Sequence, residues 1–367
     1  MRRISAQYLF TQAGKPLKRG IVTVADDGTV INVEDTGGYL SESAGIEFYG
    51  GIIIPGLVNC HSHLELSHMR GLIPQGGGLN GFVTSVSNMR GASPETVVGA
   101  ALRADREMYE EGVVACGDIS NNSLTVSIKR ESAIRYFTFA EVFGLDPEAA
   151  GTRMSAALKI VAEIEKAQLP VQLTPHALYS VSESLSGMIR EQLHPHSVIS
   201  LHFLESEDER KMTGRHAEAV IEISPLVAHL LLVHNTVITR AEAERVASAG
   251  NTWFCLCPSS NMYISGKMPP AAMLREVTDR IVAGTDSLAS SGRLSMITEM
   301  RLLQEVSPGI PLDEIIAWGT INGARFLKMD STLGSIEPGK RPGLLLVDPV
   351  DLENMRLLPE SRVRRLV

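Results

Sequence analysis

Short apolar runs recur through the middle of the chain, and stretches with helical spacing separate them. The runs lie at 57–61, 113–118, 136–141, 171–176, 198–202, 231–234, 252–257 and 281–286, eight in all. Positions 94–111, 152–167 and 241–249 carry the helical pattern between several of them. Strand–helix alternation returns each strand to the same direction, so the strands pair in parallel. Eight repeats predict an α/β fold with a closed (β/α)8 TIM barrel. The fifth and sixth connections are less cleanly helical.

Both ends of the chain read as β. Ile21-Val22-Thr23-Val24 and Thr29-Val30-Ile31-Asn32-Val33 flank Asp26-Asp27-Gly28, and Asp-Gly between two β-branched runs signals a hairpin. Positions 50–58 form a further apolar run, broken by Pro55-Gly56, and Leu344-Leu345-Leu346-Val347 follows a turn-rich segment at 333–340. These segments predict a small β-sandwich domain assembled from residues 1–55 and 331–367, with the barrel over 56–330.

Composition removes several classes of function. With 44% hydrophobic and 21% charged residues in a chain of 367, a full core forms without staples. The net charge of −8 argues against a nucleic-acid partner, because proteins that track phosphates present a basic face. Cys60, Cys116, Cys255 and Cys257 are too few for a disulfide framework. Cys255 and Cys257 alternate along Trp253-Phe254-Cys255-Leu256-Cys257 and read as small apolar residues. Reduced thiols fit the cytoplasm. The basic start Met1-Arg2-Arg3 is followed by no long apolar segment, so neither a secretory signal nor a membrane span is expected. Gly76-Gly77-Gly78 lacks the context of a dinucleotide loop and reads as a mobile loop over the barrel mouth.

The candidate chemistry sits where strands end. His61 and His63 close the first run, His176 the fourth, His202 the fifth, His234 the sixth and Asp286 the eighth. In a barrel of this kind the C-terminal strand ends form the active-site face, so these groups converge. Side chains two apart on a strand point the same way, which lets His61 and His63 reach one ion. Neutral imidazole suits zinc and iron. A lone His-x-His also occurs by chance on surfaces, and His202 in isolation reads equally as a satisfied core histidine. Asp286 ends a buried strand and needs a charged partner, which a cation supplies. Three histidines and one carboxylate leave room for a water, whose pKa such an ion lowers to about 7.

Pro55-Gly56-Leu57-Val58-Asn59-Cys60-His61-Ser62-His63 resembles the first-strand signature of the amidohydrolase superfamily. Thr174-Pro175-His176-Ala177-Leu178-Tyr179-Ser180-Val181-Ser182 and Leu201-His202-Phe203-Leu204-Glu205-Ser206 resemble the fourth- and fifth-strand motifs of its adenosine and chlorohydrolase-like deaminase branch. Val233-His234-Asn235, Cys257-Pro258-Ser259-Ser260-Asn261 and Gly284-Thr285-Asp286-Ser287 are similar to the sixth, seventh and eighth. The resemblance spans nearly the whole chain, including 334–340. It implies a metal-dependent hydrolase barrel over 56–330, with His61, His63, His202 and Asp286 binding one divalent metal ion, Zn2+ or alternatively Fe2+. The binuclear branch bridges two ions with a lysine on the fourth strand, and 171–176 contains none. The resemblance further implies that Glu205 moves a proton between the water and a ring nitrogen and that His234 orients the attacking hydroxide or stabilises the tetrahedral centre. Asp286 passes the water's proton toward departing ammonia, and His176 contacts the substrate.

Leu64-Glu65-Leu66-Ser67-His68 departs from many deaminases of the branch and looks like the corresponding run of aminodeoxyfutalosine deaminases. That likeness implies that Glu65 binds ribose hydroxyls. Read from the residues alone, Glu65 pairs with Arg70 or faces solvent. The implied substrate is a small molecule, a 6-aminopurine nucleoside such as aminodeoxyfutalosine, adenosine or S-adenosylhomocysteine. A cyclic amidase, an N-acyl hydrolase or a chlorohydrolase on the same scaffold is the alternative. A non-catalytic scaffold would have lost ligands that this chain retains. A homodimer is compatible with the resemblance. Phe82-Val83-Thr84-Ser85-Val86 reads as core packing.

Overall fold

The computed structural model describes residues 1–40, 45–212, 214 and 216–367. Its first strands are Arg2–Leu9 (β1), Leu17–Lys18 (β2), Ile21–Val24 (β3), Val30–Glu34 (β4) and Ile46–Pro55 (β5). Then come Leu57–Ser62 (β6), Val113–Ser120 (β7), Arg135–Val142 (β8), Val171–Pro175 (β9), Val198–Phe203 (β10), His229–His234 (β11), Thr252–Leu256 (β12) and Ile281–Ala283 (β13). Leu344–Asp351 (β14) and Arg356–Arg365 (β15) close the chain.

The eight expected strands are β6 to β13. They form two four-stranded sheets, ordered β6-β7-β8-β9 and β10-β11-β12-β13. Pairing is parallel, with His202 opposite Val233 and Thr138 opposite Val171. All six residues of β6 and of β10 are buried. Burial on both faces is why these strands read as continuous apolar runs rather than alternating ones. Isolated parallel bridges join Ser62 to Asp286 and Ala177 to His202. Helices Pro94–Glu110, Ala150–Lys166, Glu183–Glu191 and Arg240–Ala247 lie between strands. The last begins with a capping box in which Thr239 and Glu242 satisfy each other's backbone N–H.

The chain divides into two compact units. The first gathers Met1–Asn59, Glu107–Ala115 and Ser295–Val367, and so takes in more than 1–55 and 331–367. It contains a seven-stranded sheet in the order β15-β14-β5-β1-β3-β4, with β2 on β1. The expected β-sandwich is, among the described residues, a single hydrogen-bonded sheet. The reason lies in β5, which pairs in parallel with β1 and antiparallel with β14 and thereby joins the two ends of the chain. Ile4, Leu9, Val22 and Ile53 pack there with Ile336 and Leu344. The Asp-Gly hairpin forms between β3 and β4, with Gly28 at φ +85°.

The second unit comprises Cys60–Arg106 and Cys116–Leu294 and carries the C-terminal ends of the parallel strands. The glycine run read as a mobile loop is tied down at Gly76, whose N–H bonds the Tyr263 carbonyl at 2.8 Å, and it leads directly into helix Gly78–Met89. All four cysteines are buried and none is joined in a disulfide, and the burial of Cys255 and Cys257 agrees with their apolar reading. Among the described residues no helix is long and apolar enough to cross a membrane.

Candidate active site

Residues distant in the chain meet at the strand ends. His61 Nε2 and His63 Nε2 lie 3.1 Å apart. Asp286 Oδ1 stands 3.7 Å from the first and 3.4 Å from the second. The His202 ring centroid is 4.9 Å from that of His61, 5.5 Å from that of His63 and 5.4 Å from that of His234. Glu205 Oε2 is 3.7 Å from His234 Nε2. The His176 ring lies 4.6 Å from that of His202.

Hydrogen bonds behind these groups decide which atoms face inward. His202 Nδ1–H donates to the His176 carbonyl at 3.0 Å, leaving Nε2 its lone pair. Asn261 donates through Nδ2 to Thr236 Oγ1, so its Oδ1 accepts from His234 Nδ1–H at 2.8 Å and His234 Nε2 is left toward Glu205. Ser260 and Ser290 hydroxyls donate to Asp286 Oδ2, which turns Oδ1 toward the two imidazoles.

The backbone is bent where the chemistry sits. Leu204 (φ +48°), His234 (φ +77°), Asn235 (φ +55°) and Asp286 (φ +57°) all adopt the left-handed region. Each such residue costs of order 1–3 kcal/mol and persists only where surroundings hold it. Asp286 N–H is held by the His61 carbonyl at 3.0 Å. Both oxygens of buried Glu209 accept from the backbone, one from Leu204 N–H and one from Glu205 N–H, each at 2.8 Å. Gly284 passes so close beneath His61 that a Cβ would stand 2.9 Å from that residue's own Cβ.

Burial controls the protonation of the cluster. It pushes His61 down to about 4 and holds His63 and His176 well below the ordinary histidine value, with His234 also lowered. Burial acts to raise Asp286, but the His61 hydrogen bond and the neighbouring imidazoles outweigh it and keep the carboxylate well below its usual range. At Glu205 burial outweighs the lowering influence of His202 and pushes the carboxyl up to about 7. His61, His63 and His234 are thus held as neutral imidazoles beside one ionised carboxylate. His61, His63 and Asp286, and likewise His61, His202 and His234, each bring ligand atoms within 4.8 Å of one another. Two imidazole nitrogens 3.1 Å apart next to a carboxylate make a donor set that fits a divalent metal ion.

A cavity opens on this cluster. His63, His176, His202, Glu205, His234 and Asp286 line one part of it, and Leu79, Phe82, Val83 and Val86 another. The latter four recur at helical spacing on Gly78–Met89 and form one stripe. Phe82 and Val86 also pack against Leu66, Met69 and Ile73, so the expected core role and a cavity wall coincide.

The amidohydrolase family model matches residues 52–365. The chain belongs to the amidohydrolase family. It is 28% identical over 326 residues to a Helicobacter pylori adenosine deaminase, covering 81% of this chain and 79% of that one. Among solved structures it resembles Helicobacter pylori aminofutalosine deaminase in complex with methylthio-coformycin, with a TM-score of 0.77, 24% identity and coverage of 98% and 94%. A Xanthomonas campestris adenosine deaminase with bound zinc matches with a TM-score of 0.76, 22% identity and coverage of 97% and 86%.

One residue of the set lies elsewhere in this amidohydrolase. Glu65 is buried but is not part of the cavity lining. Its Oε2 accepts from Asn121 N–H at 3.0 Å and Asn122 Nδ2 at 2.7 Å, and Arg90 approaches Oε1 to 3.8 Å. Burial pushes this carboxyl up to about 7. Arg90 is a cationic neighbour of this carboxyl. Other polar residues around the amidohydrolase site escaped the motif reading. Glu141 and Asp118 are carboxylates in the last turns of β8 and β7, the signal that singled out Asp286. Glu141 lines the cavity. Asp118 forms a buried ion pair with Lys129 at 2.6 Å and accepts from Leu64 N–H at 2.7 Å, bracing the segment after His63. No strand-end rule points to Lys129, Arg90 or Glu209.

Proposed function

We propose that this amidohydrolase is a metal-dependent hydrolytic deaminase of a 6-aminopurine nucleoside, of the class of adenosine, S-adenosylhomocysteine or aminodeoxyfutalosine, and releases ammonia. The observation that carries the reading is the meeting of His61, His63, His202 and Asp286 beside Glu205 and His234, all of them but His61 lining one cavity. The deaminase names of the relatives support the substrate class.

His61, His63, His202 and Asp286 would hold one divalent ion, Zn2+ by analogy with the zinc-bound relative, with Fe2+ the alternative. When bound, such an ion makes water a nucleophile at neutral pH. Glu205 is raised to about 7, so near neutrality its carboxyl keeps a proton to place on the ring nitrogen beside the carbon under attack. His234 Nε2, 3.7 Å from that carboxyl, orients the incoming oxygen. Of the two protons of the water, Asp286 would receive one and deliver it to the leaving ammonia, and the other would restore the Glu205 carboxyl. His176, its Nδ1–H fixed on Ser180 Oγ at 2.9 Å, contacts the purine.

The two parallel sheets are read as halves of one closed (β/α)8 barrel, a closure supported by the bridges Ser62–Asp286 and Ala177–His202. The division into a terminal β domain (1–55, 331–367) and a hydrolase barrel (56–330) belongs to the same reading. Four buried cysteines with no disulfide support a cytoplasmic setting.

The test is product analysis on a panel, with ammonia measured from purine nucleosides, carboxylate from cyclic amides and N-acyl compounds and halide from halogenated heterocycles, together with metal analysis of the purified protein. Turnover of 6-aminopurine nucleosides by a protein carrying about one ion per chain is expected. Turnover confined to amides or halides refutes the deaminase assignment, and a chain that binds no transition metal refutes the mechanism.

A further inference from the structure

Glu141 occupies a place that the reaction above does not use. It is 5% exposed, lies near the end of β8 and lines the cavity. Its two oxygens differ. Oε2 accepts from Asn121 Nδ2 at 2.9 Å. Oε1 is buried and has no hydrogen-bond partner among the described residues. The nearest imidazole donor, His202 Nδ1 at 3.7 Å, already gives its proton to the His176 carbonyl. A buried carboxylate oxygen without a donor is destabilising, so a donor is expected to come from outside the protein. A second such atom belongs to the same cavity wall: the buried Tyr179 hydroxyl is also without a partner.

The support behind Glu141 is a relay. Arg90 Nη2 donates to Asn121 Oδ1 at 3.0 Å, which sets the amide so that Nδ2 meets Glu141. Glu65 accepts from the Asn121 backbone N–H and from Asn122 and so pins the same residue from behind.

We propose that Glu141 is the carboxylate that accepts hydrogen bonds from the sugar hydroxyls of the substrate, with the Tyr179 hydroxyl as a further contact. Glu65 and Arg90 are then positioning residues that act through Asn121. This assignment rests on the nucleoside reading above, and it gives the hydroxyl-binding role to a different carboxylate from Glu65.

The experiment pairs protein variants with substrate deletions. Wild type, Glu141→Gln and Glu141→Ala are compared on adenosine and 2′,3′-dideoxyadenosine. Calorimetry measures binding of the products inosine and 2′,3′-dideoxyinosine, which needs no turnover. The expected result is a loss of about 10- to 100-fold in kcat/KM on adenosine for Glu141→Ala, chiefly in KM, in keeping with a hydrogen bond to a charged group. Glu141→Gln, which keeps a carbonyl acceptor, should lose less. Neither variant should lose more than about threefold on the dideoxy compounds, since that contact is already gone. Equal losses with and without the hydroxyls, in turnover and in product binding, overturn the assignment while leaving the deaminase reading intact. Wild-type protein that neither turns over nor binds any purine nucleoside overturns both.

Discussion

On one part of the cavity wall, His202 and His234 lie at the ends of their strands and His63 and Asp286 just beyond theirs, with hydrogen bonds behind His202, His234 and Asp286 fixing their orientation. On another, Glu141 also leaves a strand end, but its orientation passes through Asn121 to Arg90 and Glu65, on three other segments of the chain. The first arrangement is set by topology, because parallel strands deliver their C-terminal ends to one face. The second is set by side-chain contacts that no period or spacing records. On the proposed reading, the histidine side would carry the chemistry on supports close to the strand ends, and the Glu141 side would carry recognition on a network whose parts lie far apart in the chain.

The largest expected effect lies on the histidine side. Glu205→Gln removes the proton that Glu205 would supply and should lower kcat by about 10²–10⁴-fold with metal content unchanged. Steady-state kinetics with metal analysis checks this, and a variant within threefold of wild type would remove Glu205 from the mechanism. The next is a stability effect. Lys129 is the buried partner of Asp118, whose carboxyl is already raised by burial, so Lys129→Met strands an uncompensated charge. A loss of about 3–5 kcal/mol is expected in denaturant unfolding, and adding Asp118→Asn should recover part of it. If the single variant unfolds at the wild-type midpoint, the brace on Leu64 is dispensable. The smallest effect sharpens the comparison from within. Glu209→Gln replaces one acceptor of the paired backbone amides with an NH2 group and loosens Glu205 without touching substrate. Misplacement of a reacting group by about 1 Å can cost about 10²-fold, so kcat should fall by about 10- to 100-fold with KM little changed. A fall confined to KM would place Glu209 on the recognition side instead.

How much was legible follows the same line. The eight strands could be read because burial on both faces makes each a continuous apolar run, as in Val198–Phe203. Ligands could be read because each ends or follows such a run. Glu141 and Asp118 offered the same signal, yet no motif distinguished them. Glu65 stood two residues after the histidine pair and seemed tied to substrate by likeness alone. The turn at Leu64–Met69 and the bonds to Asn121 and Asn122 instead direct it away from the cavity lining. The expected sandwich became one sheet because β5 can pair on both edges, a choice of partner that strand patterns leave open.

By itself the amino-acid order determined where strands lie, that their polar residues gather at one end, and which side chains are able to hold a cation. Those are properties of local period and residue type, which survive without knowledge of neighbours. Only the tertiary structure decided which oxygen of Asp286 faces the imidazoles, which nitrogen of His234 is left toward Glu205, and that Glu65 stands behind Asn121 while Glu141 keeps an oxygen without a donor. Those are matters of hydrogen bonds between residues 20 to 60 positions apart, and such partners exist only once the chain has closed on itself.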